Sequence, residues 1–355
     1  MKNIFWCKNC LSMSTRPRIS FDKRGWCNAC QWMEEKKNID WEKRRKDLQT
    51  LLEEAKSKSN GYDCLVPVSG GKDGSYVSYI LKKKYKMNPL AVTVTPPLPR
   101  EEGIKNLRNF VKSGYTLLQI DPDPEVMRII NTKGFIEMGI PYYGWLITVQ
   151  TSIMRVAVNF NIPIIFYGED GEVEYGGSKT TKDVHHHDAE YMIKVYFEDG
   201  YNKVLSGLNL SKSQLYFFEF PEKKDLLKTD LKTTWWSHFE NWDPYRNYLI
   251  AKKNCGLQEA EMSNVGTFTN FAQCDQYLYA LHSYLMYLKF GFGRANQDAC
   301  IEIRRGAMSR NQAINLVKLY DNAYPEIFLE HYLNYYKMSK KEFEDVIDKW
   351  ANKNL

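Results

Sequence analysis

The chain has 355 residues, 43% apolar and 26% charged, which suits a folded protein of one large domain with appendages or of two domains. It has no run of about 18 uncharged apolar residues, and its opening stretch MKNIFWCKNC lacks an apolar signal core, so neither a membrane span nor a secretory leader is expected and the protein is expected to be cytoplasmic. The first 60 residues hold 14 Lys and Arg against 8 Asp and Glu while the remainder balances at 35 each, so the net charge of +6 sits in the head; the neutral body argues against a nucleic-acid track, and the basic head reads as a solvated face or a contact for a phosphate-bearing partner.

The head carries four of the eight cysteines, at Cys7, Cys10, Cys27 and Cys30, in a C-x2-C, sixteen-residue, C-x2-C pattern. Two short knuckles at this spacing converge on one tetrahedral zinc ion. A disulfide framework fits poorly with a cytoplasmic chain, and a redox C-x-x-C would not need two copies. Four thiolates close the shell, so the expected metal is structural Zn2+. It would supply folding free energy to residues 1–34, which are too few to build a core alone. Cys64, Cys255, Cys274 and Cys300 show no spacing pattern and are expected as small buried hydrophobes.

Residues 35–60 read as a linker helix, with Asn38 or Asp40 at its start. From 61 to about 240, strand and helix alternate. YDCLVPV, PLAVTVT, YTLLQID and IPIIFYGED read as strands. GSYVSYILKKKY, REEGIKNLRNFVKS and WLITVQTSIMRVAVNF read as helices. This alternation predicts an α/β domain with a parallel sheet, whose ligands bind beyond the carboxyl ends of the strands.

The loop SGGKDGS follows the first strand and opens a helix. It is not the Walker pattern, because Lys72 sits in its middle and Asp73 follows. Gly70 and Gly71 let backbone approach an anion, and amides at the helix start point to it. Ser69 and Ser75 can donate hydroxyls, and Asp73 suits a magnesium ligand or a holder of the loop. Thr93 and Thr95 end the second strand, where an adenosine contact or an ordinary threonine pair is expected. Gly168, Glu169 and Asp170 end the fourth, with the acidic pair read as a Mg2+ or substrate contact or as a solvated loop. His185, His186 and His187 cannot all face one ion and read as an exposed loop. Trp235 and Trp236 read as core or interface.

Residues 241–355 are aromatic-rich and mainly helical. Ser309 with Gln312 and Ser339 with Glu342 form capping-box signatures. In GFGRANQDACIEIR, Arg294, Asp298 and Arg304 are candidate substrate contacts, since arginine binds phosphate or carboxylate bidentately. The i,i+4 spacing of Arg294 and Asp298 also allows a plain helix ion pair.

SGGKDGS resembles the SGGxDS loop of the PP-loop ATP pyrophosphatases, with Gly74 inserted before the final serine. That resemblance implies ATP cleavage between the α and β phosphates, Mg2+, and ATP contacts at Ser69, Gly70, Gly71, Lys72, Asp73, Gly74, Ser75, Thr93, Thr95 and Gly168. With the cysteine head and the late LKFGFGRANQDACIEIRRGAMSRNQAINLVKLYD stretch, nearly the whole chain resembles the N-acetyl sugar amidotransferases of surface-glycan biosynthesis. The resemblance implies conversion of an acetamido group to an acetamidino group on a nucleotide sugar or a nonulosonic acid. Asp73, Lys72 and Arg294 are the candidate catalytic residues; Glu169, Asp170, Asp298 and Arg304 are candidates for substrate or Mg2+. Residue 2 is lysine and no stretch suggests a glutaminase domain, so ammonia is expected from a separate glutaminase subunit, with a channel that a third protein could form. A PP-loop tRNA-modifying enzyme is the alternative reading, although no reactive cysteine pair stands out. A non-catalytic zinc-ribbon adaptor would not need an intact loop.

Overall fold

A computed structural model describes residues 4–178, 182–187 and 200–355. Lys2, on which the expected lack of an N-terminal nucleophile rests, lies outside the described residues. Five strands form one parallel sheet: β1 (Cys64–Pro67), β2 (Pro89–Val94), β3 (Leu117–Ile120), β4 (Ile164–Tyr167) and β5 (Lys232–Trp235). Their order is β3-β2-β1-β4-β5. The four strands expected from sequence form with trimmed ends. The fifth, inside KTTWW, lacks a clear alternation and earns its place by pairing with β4.

The sheet is covered on both faces, as parallel sheets require. On one face Cys64, Val66, Ile164 and Phe166 pack with residues of α2 (Trp41–Lys58) and α3 (Lys72–Lys83). On the other, Leu65, Leu90, Val92 and Ile165 pack with Ile153, Met154 and Ala157. Those last three lie on α6 (Tyr143–Asn159), the counterpart of the helix read from WLITVQTSIMRVAVNF. Burying each such aliphatic side chain contributes about 1.5–3 kcal/mol. Asp40, one of the two residues expected at the start of α2, caps it by accepting from the Lys43 amide. The helix α4 (Glu101–Lys112) follows β2. The helix α5 (Pro124–Met138) was not anticipated, although Asp123 caps it, Pro124 occupies its first turn and Gly139 ends it in the left-handed region.

The cysteine head, with α1 (Asn28–Glu35), does not hang from its linker. Cys7, Cys10, Cys27 and Cys30 share a buried cluster with Ala299, Cys300 and Ala313 near the carboxyl end. Asn296 Nδ2 donates to the Leu11 carbonyl at 3.0 Å, and Trp32 Nε1 donates to Glu174 at 2.9 Å. Boundaries drawn at residues 34 and 240 therefore separate stretches that pack together. The carboxyl-terminal helices bury their aromatics among themselves and against α5, with Phe135, Tyr332, Tyr336 and Phe343 in one cluster. Both capping boxes form. Among the described residues no helix is long and apolar enough to cross a membrane.

Candidate active site

The strand order reverses between β1 and β4, which leaves a crevice beyond their carboxyl ends. Two loops meet there, Ser69–Gly71 after β1 and Gly168–Asp170 after β4. Gly70 adopts φ +79°, and a Cβ on it would stand 2.7 Å from the Leu107 amide nitrogen of α4. The loop thus rests directly on the neighbouring helix, and Ser69 to Gly74, which include the start of α3, line the cavity. A Cβ on Gly168 would come 3.1 Å from Asp73 Cβ, so glycine lets the end of β4 close on the loop.

Lys72 Nζ donates to Asp73 Oδ2, and both side chains are largely buried. Asp73 Oδ1 is buried with no hydrogen-bond partner. That open carboxylate oxygen beside Glu169 fits a hard cation such as Mg2+, which seeks oxygen ligands and keeps water or phosphate in its remaining positions. Burial, reinforced by the Asp73 charge, raises Glu169 to about 7, and its carboxylate accepts from Tyr175 at 3.0 Å. Burial opposes charge on Lys72, but Asp73 and Glu169 outweigh it and hold the ammonium above its ordinary range. Arg294 also lines this cavity, from the helix Arg294–Arg304. It pairs with Asp298 at 2.8 Å, as the i,i+4 spacing allows, while its Nε–H is not aligned for a hydrogen bond. Asp298 accepts in addition from Thr267 at 2.6 Å and so holds the arginine's base in place.

The loop cavity opens on two sides. On one, Ser69, Gly103 and Asp275 lead into a mainly apolar cavity of about 540 Å³, lined by Thr93, Thr95, Ile104, Leu107 and Trp145. Its size and lining suit a flat heterocycle. On the other, Lys72, Glu169, Phe271 and Arg294 are shared with a cavity of mixed lining that also holds Arg16, Asn296 and Arg304. Three compartments therefore adjoin: apolar, loop and arginine-rich.

Several expected residues take different places. Gly74 lines the loop cavity, whereas Ser75 does not: it lies buried one position further on, and its carbonyl accepts from the Cys255 thiol. A Cβ on Gly74 would meet the Pro67 carbonyl at 2.5 Å, so the inserted glycine seats α3 against β1. Asp170 caps the short helix α7 (Gly171–Tyr175), accepting from the Glu172 amide at 3.0 Å. Thr93 is buried, and Thr95 Oγ1 accepts from Gln119 at 3.0 Å. Arg304 is far from the loop and reaches Cys10 Sγ at 3.8 Å. Trp235 and Trp236 are core on opposite faces of the sheet. His185 and His186 are exposed as expected, but His187 is buried, its amide donating to the Thr233 carbonyl.

Asp275 and Arg16 escaped the sequence reading. Asp275 joins the apolar and loop cavities, where burial raises it to about 6. The polar stretch FAQCDQY before an apolar helix was the available signal. Arg16 was one of many head cations. Cys274 also lines the loop cavity, and burial pushes its thiol up, away from the thiolate a sulfur-transfer reaction requires.

The four head cysteines are buried, with their sulfurs all within 4.8 Å of one another; Cys7–Cys30 and Cys10–Cys27 stand at 3.8 and 3.6 Å. Bonds of ~2.3 Å to a tetrahedral zinc give sulfur–sulfur edges of ~3.8 Å. An iron–sulfur cubane binds each thiolate at a different corner iron and needs a wider spread. The donor set therefore fits a single ion. Among the described residues this is the one group of three or more His, Cys, Asp and Glu so arranged.

Residues 265–355 match the family model described as LPS biosynthesis protein WbpG-like, C-terminal domain. The uncharacterized protein MJ1599 of Methanocaldococcus jannaschii is 33% identical over 107 residues. That match spans 30% of this chain and 38% of the relative's length. A solved structure, the U34-tRNA thiolase NcsA from Methanococcus maripaludis with its [4Fe-4S] cluster, overlaps 78% of this chain and 80% of its own at 13% identity, with a TM-score of 0.34.

Proposed function

We propose that the protein is an ATP-dependent amidotransferase that converts the acetamido group of a sugar into an acetamidino group, with release of AMP and pyrophosphate. The observation that carries this reading is the loop cavity of Lys72, Asp73, Glu169 and Arg294, flanked by an apolar and an arginine-rich compartment. In this reading the nucleotide base takes the apolar compartment, the phosphates the loop cavity and the acceptor the arginine-rich compartment. The arginine-rich compartment is built largely from the stretch that matches the WbpG-like model, which supports a surface-glycan substrate.

An amide oxygen is a poor leaving group. In the reaction it attacks the α-phosphorus of ATP, the bond to the β-phosphate oxygen breaks, and pyrophosphate leaves. Ammonia then adds to the imidate carbon, AMP departs with the former amide oxygen, and loss of a proton leaves the amidine. A magnesium ion held by Asp73 and Glu169 would supply charge neutralisation for the phosphates. The chain's own contribution is positioning and electrostatics. Loop amides and Lys72 hold the pyrophosphate, and Arg294 faces the charge that builds at the α-phosphate. The apolar compartment orients the base. Ammonia would come from a separate glutaminase subunit.

Incubation with ATP, Mg2+, an ammonium salt and acetamido sugars is expected to give AMP and a sugar in which NH replaces oxygen. ADP in place of AMP would sink the mechanism. Salt-sensitive tRNA binding with AMP formation and no sugar product would favour the tRNA-modifying alternative.

A further inference from the structure

The apolar and loop cavities meet at three residues, Ser69, Gly103 and Asp275. With the base in the first cavity and the phosphates in the second, the ribose must occupy this junction, because it is the one unit of ATP between them. Gly103 has no side chain. The polar side chains at the junction are therefore the Ser69 hydroxyl and the Asp275 carboxylate.

Asp275 is fixed there by its backbone. Its carbonyl accepts from the Arg100 amide at 2.9 Å, and the Tyr277 amide donates to the Leu98 carbonyl at 3.0 Å. Between these two bonds Pro99 and Gln276 pair in an antiparallel bridge. A Cβ on Gly103 would stand 2.5 Å from Asp275 Cα and 2.7 Å from its Cβ. Glycine thus lets the start of α4 close on the aspartate.

The carboxylate keeps acceptor capacity to spare. An ionised carboxylate offers about four lone-pair sites. Oδ2 takes the Tyr279 hydroxyl at a long 3.4 Å. The cation that acts on it, Arg100, gives Nη1 to Asn264 at 2.7 Å and Nη2 to Glu102 at 3.0 Å. Burial therefore prevails and raises the carboxyl to about 6, as expected of a buried acceptor short of donors. A ribose supplies what is missing, two neighbouring hydroxyls that both donate. A carboxylate meets ribose hydroxyls in this way in dinucleotide-binding α/β folds.

We infer that Asp275 accepts hydrogen bonds from the ribose hydroxyls of ATP and makes the site selective for ribonucleotides over deoxyribonucleotides. The contact rests on the ATP reading of the two cavities. It also gives the stretch that matches the WbpG-like model a part in the nucleotide site, since Asp275 lies within residues 265–355.

The test uses the full chain with Mg2+ and no acceptor, at pH 8, where a carboxyl raised to about 6 is ionised. Titration calorimetry compares ATP, 2′-deoxy-ATP, 3′-deoxy-ATP and inorganic pyrophosphate. The wild type is expected to bind ATP about 10–100-fold more tightly than at least one deoxynucleotide, the worth of a hydrogen bond to a charged group. Asp275→Ala should weaken ATP to the level of that deoxynucleotide, change the deoxynucleotide far less and leave pyrophosphate unchanged. A residue that only supports the fold would lower all four together. Asp275→Asn, which keeps one acceptor oxygen and loses the charge, should fall between. A preference over one deoxynucleotide alone identifies the hydroxyl that Asp275 holds. Equal wild-type binding of ATP and both deoxynucleotides, or an equal loss of all four probes in Asp275→Ala, would overturn the contact and leave ATP as the bound nucleotide. A wild type that binds pyrophosphate but no adenine nucleotide would remove the ATP reading and the contact with it. If ATP is preferred as expected but no acetamido sugar yields AMP, the amidotransferase reading fails and the ribose contact stands.

Discussion

Gly74 packs so tightly under Pro67 that a Cβ on it would lie 2.5 Å from the Pro67 carbonyl oxygen and 3.1 Å from Val68 Cα. The position that usually carries the loop's closing serine is here a contact point between α3 and β1. Backbone atoms form that contact, so they cannot yield by changing rotamer. Gly74→Ala is expected to cost about 1–3 kcal/mol by overpacking and to lower ATP-dependent AMP release. Gly74→Ser, which restores the commoner loop sequence, should do the same and not raise activity. Thermal melts and AMP assays check both; a Gly74→Ser enzyme as active as wild type would contradict this packing.

Lys72 and Asp73 form an ion pair in the loop cavity, where the proposed reaction puts the phosphates. Removing either charge leaves the other unpaired in a cavity that holds Glu169 and Arg294 as well. Asp73→Asn and Lys72→Gln are each expected to lower the rate of AMP formation by about 10²–10³, the usual worth of one preorganised charge. Circular dichroism should show both variants folded. Undiminished AMP formation by Asp73→Asn would remove Asp73 from the site.

Glu169 makes the free protein's stability depend on pH. Its folded pKa, about 7, lies above its ordinary 4.5 because of burial and the Asp73 charge. A carboxyl raised in this way contributes stability that is fully present below its ordinary pKa and is lost as pH rises through about 7. The wild-type melting temperature should therefore fall between about pH 4.5 and 7 more steeply than that of Glu169→Gln, which cannot ionise. Equal slopes in the two proteins would mean that the Glu169 charge is not buried in the free enzyme.

The purified protein should hold one zinc per chain, with no iron and no visible charge-transfer absorbance, because the sulfur spacing suits one ion. Cys7→Ser should remove the metal and loosen both the head and the helix Arg294–Arg304, since the two share a buried cluster. Elemental analysis and hydrogen exchange check this. Exchange protection of residues 294–304 that survives loss of the metal would show that the two do not depend on each other.

The apolar compartment can be blocked without touching the phosphates. Ile104 lines it and is 39% exposed, so a larger side chain there should not disturb the core. Ile104→Trp is expected to raise the KM for ATP by about tenfold, which corresponds to about 1.4 kcal/mol, with the acceptor KM unchanged. A change in the acceptor KM alone would place the nucleotide elsewhere.

Local chemistry wrote itself plainly into the chain. The paired C-x2-C knuckles, the strand–SGGKDGS–helix unit, four of five strands and both capping boxes depend on residues near one another in sequence, and each forms. The helix α5 was also legible, through Asp123, Pro124 and Gly139, but its weak apolar periodicity hid it. Strand β5 was not, because four residues of KTTW become a strand only when β4 offers them an edge. Only the tertiary structure decided which charges face one another. The crevice between β1 and β4 brings Glu169 and Arg294 to Lys72, the turn of the helix entrance puts Gly74 and not Ser75 at the cavity, and packing of the head carries Arg16 to Arg304. Such contacts join residues tens to hundreds of positions apart. Their strength comes from shared burial, which sequence spacing does not encode.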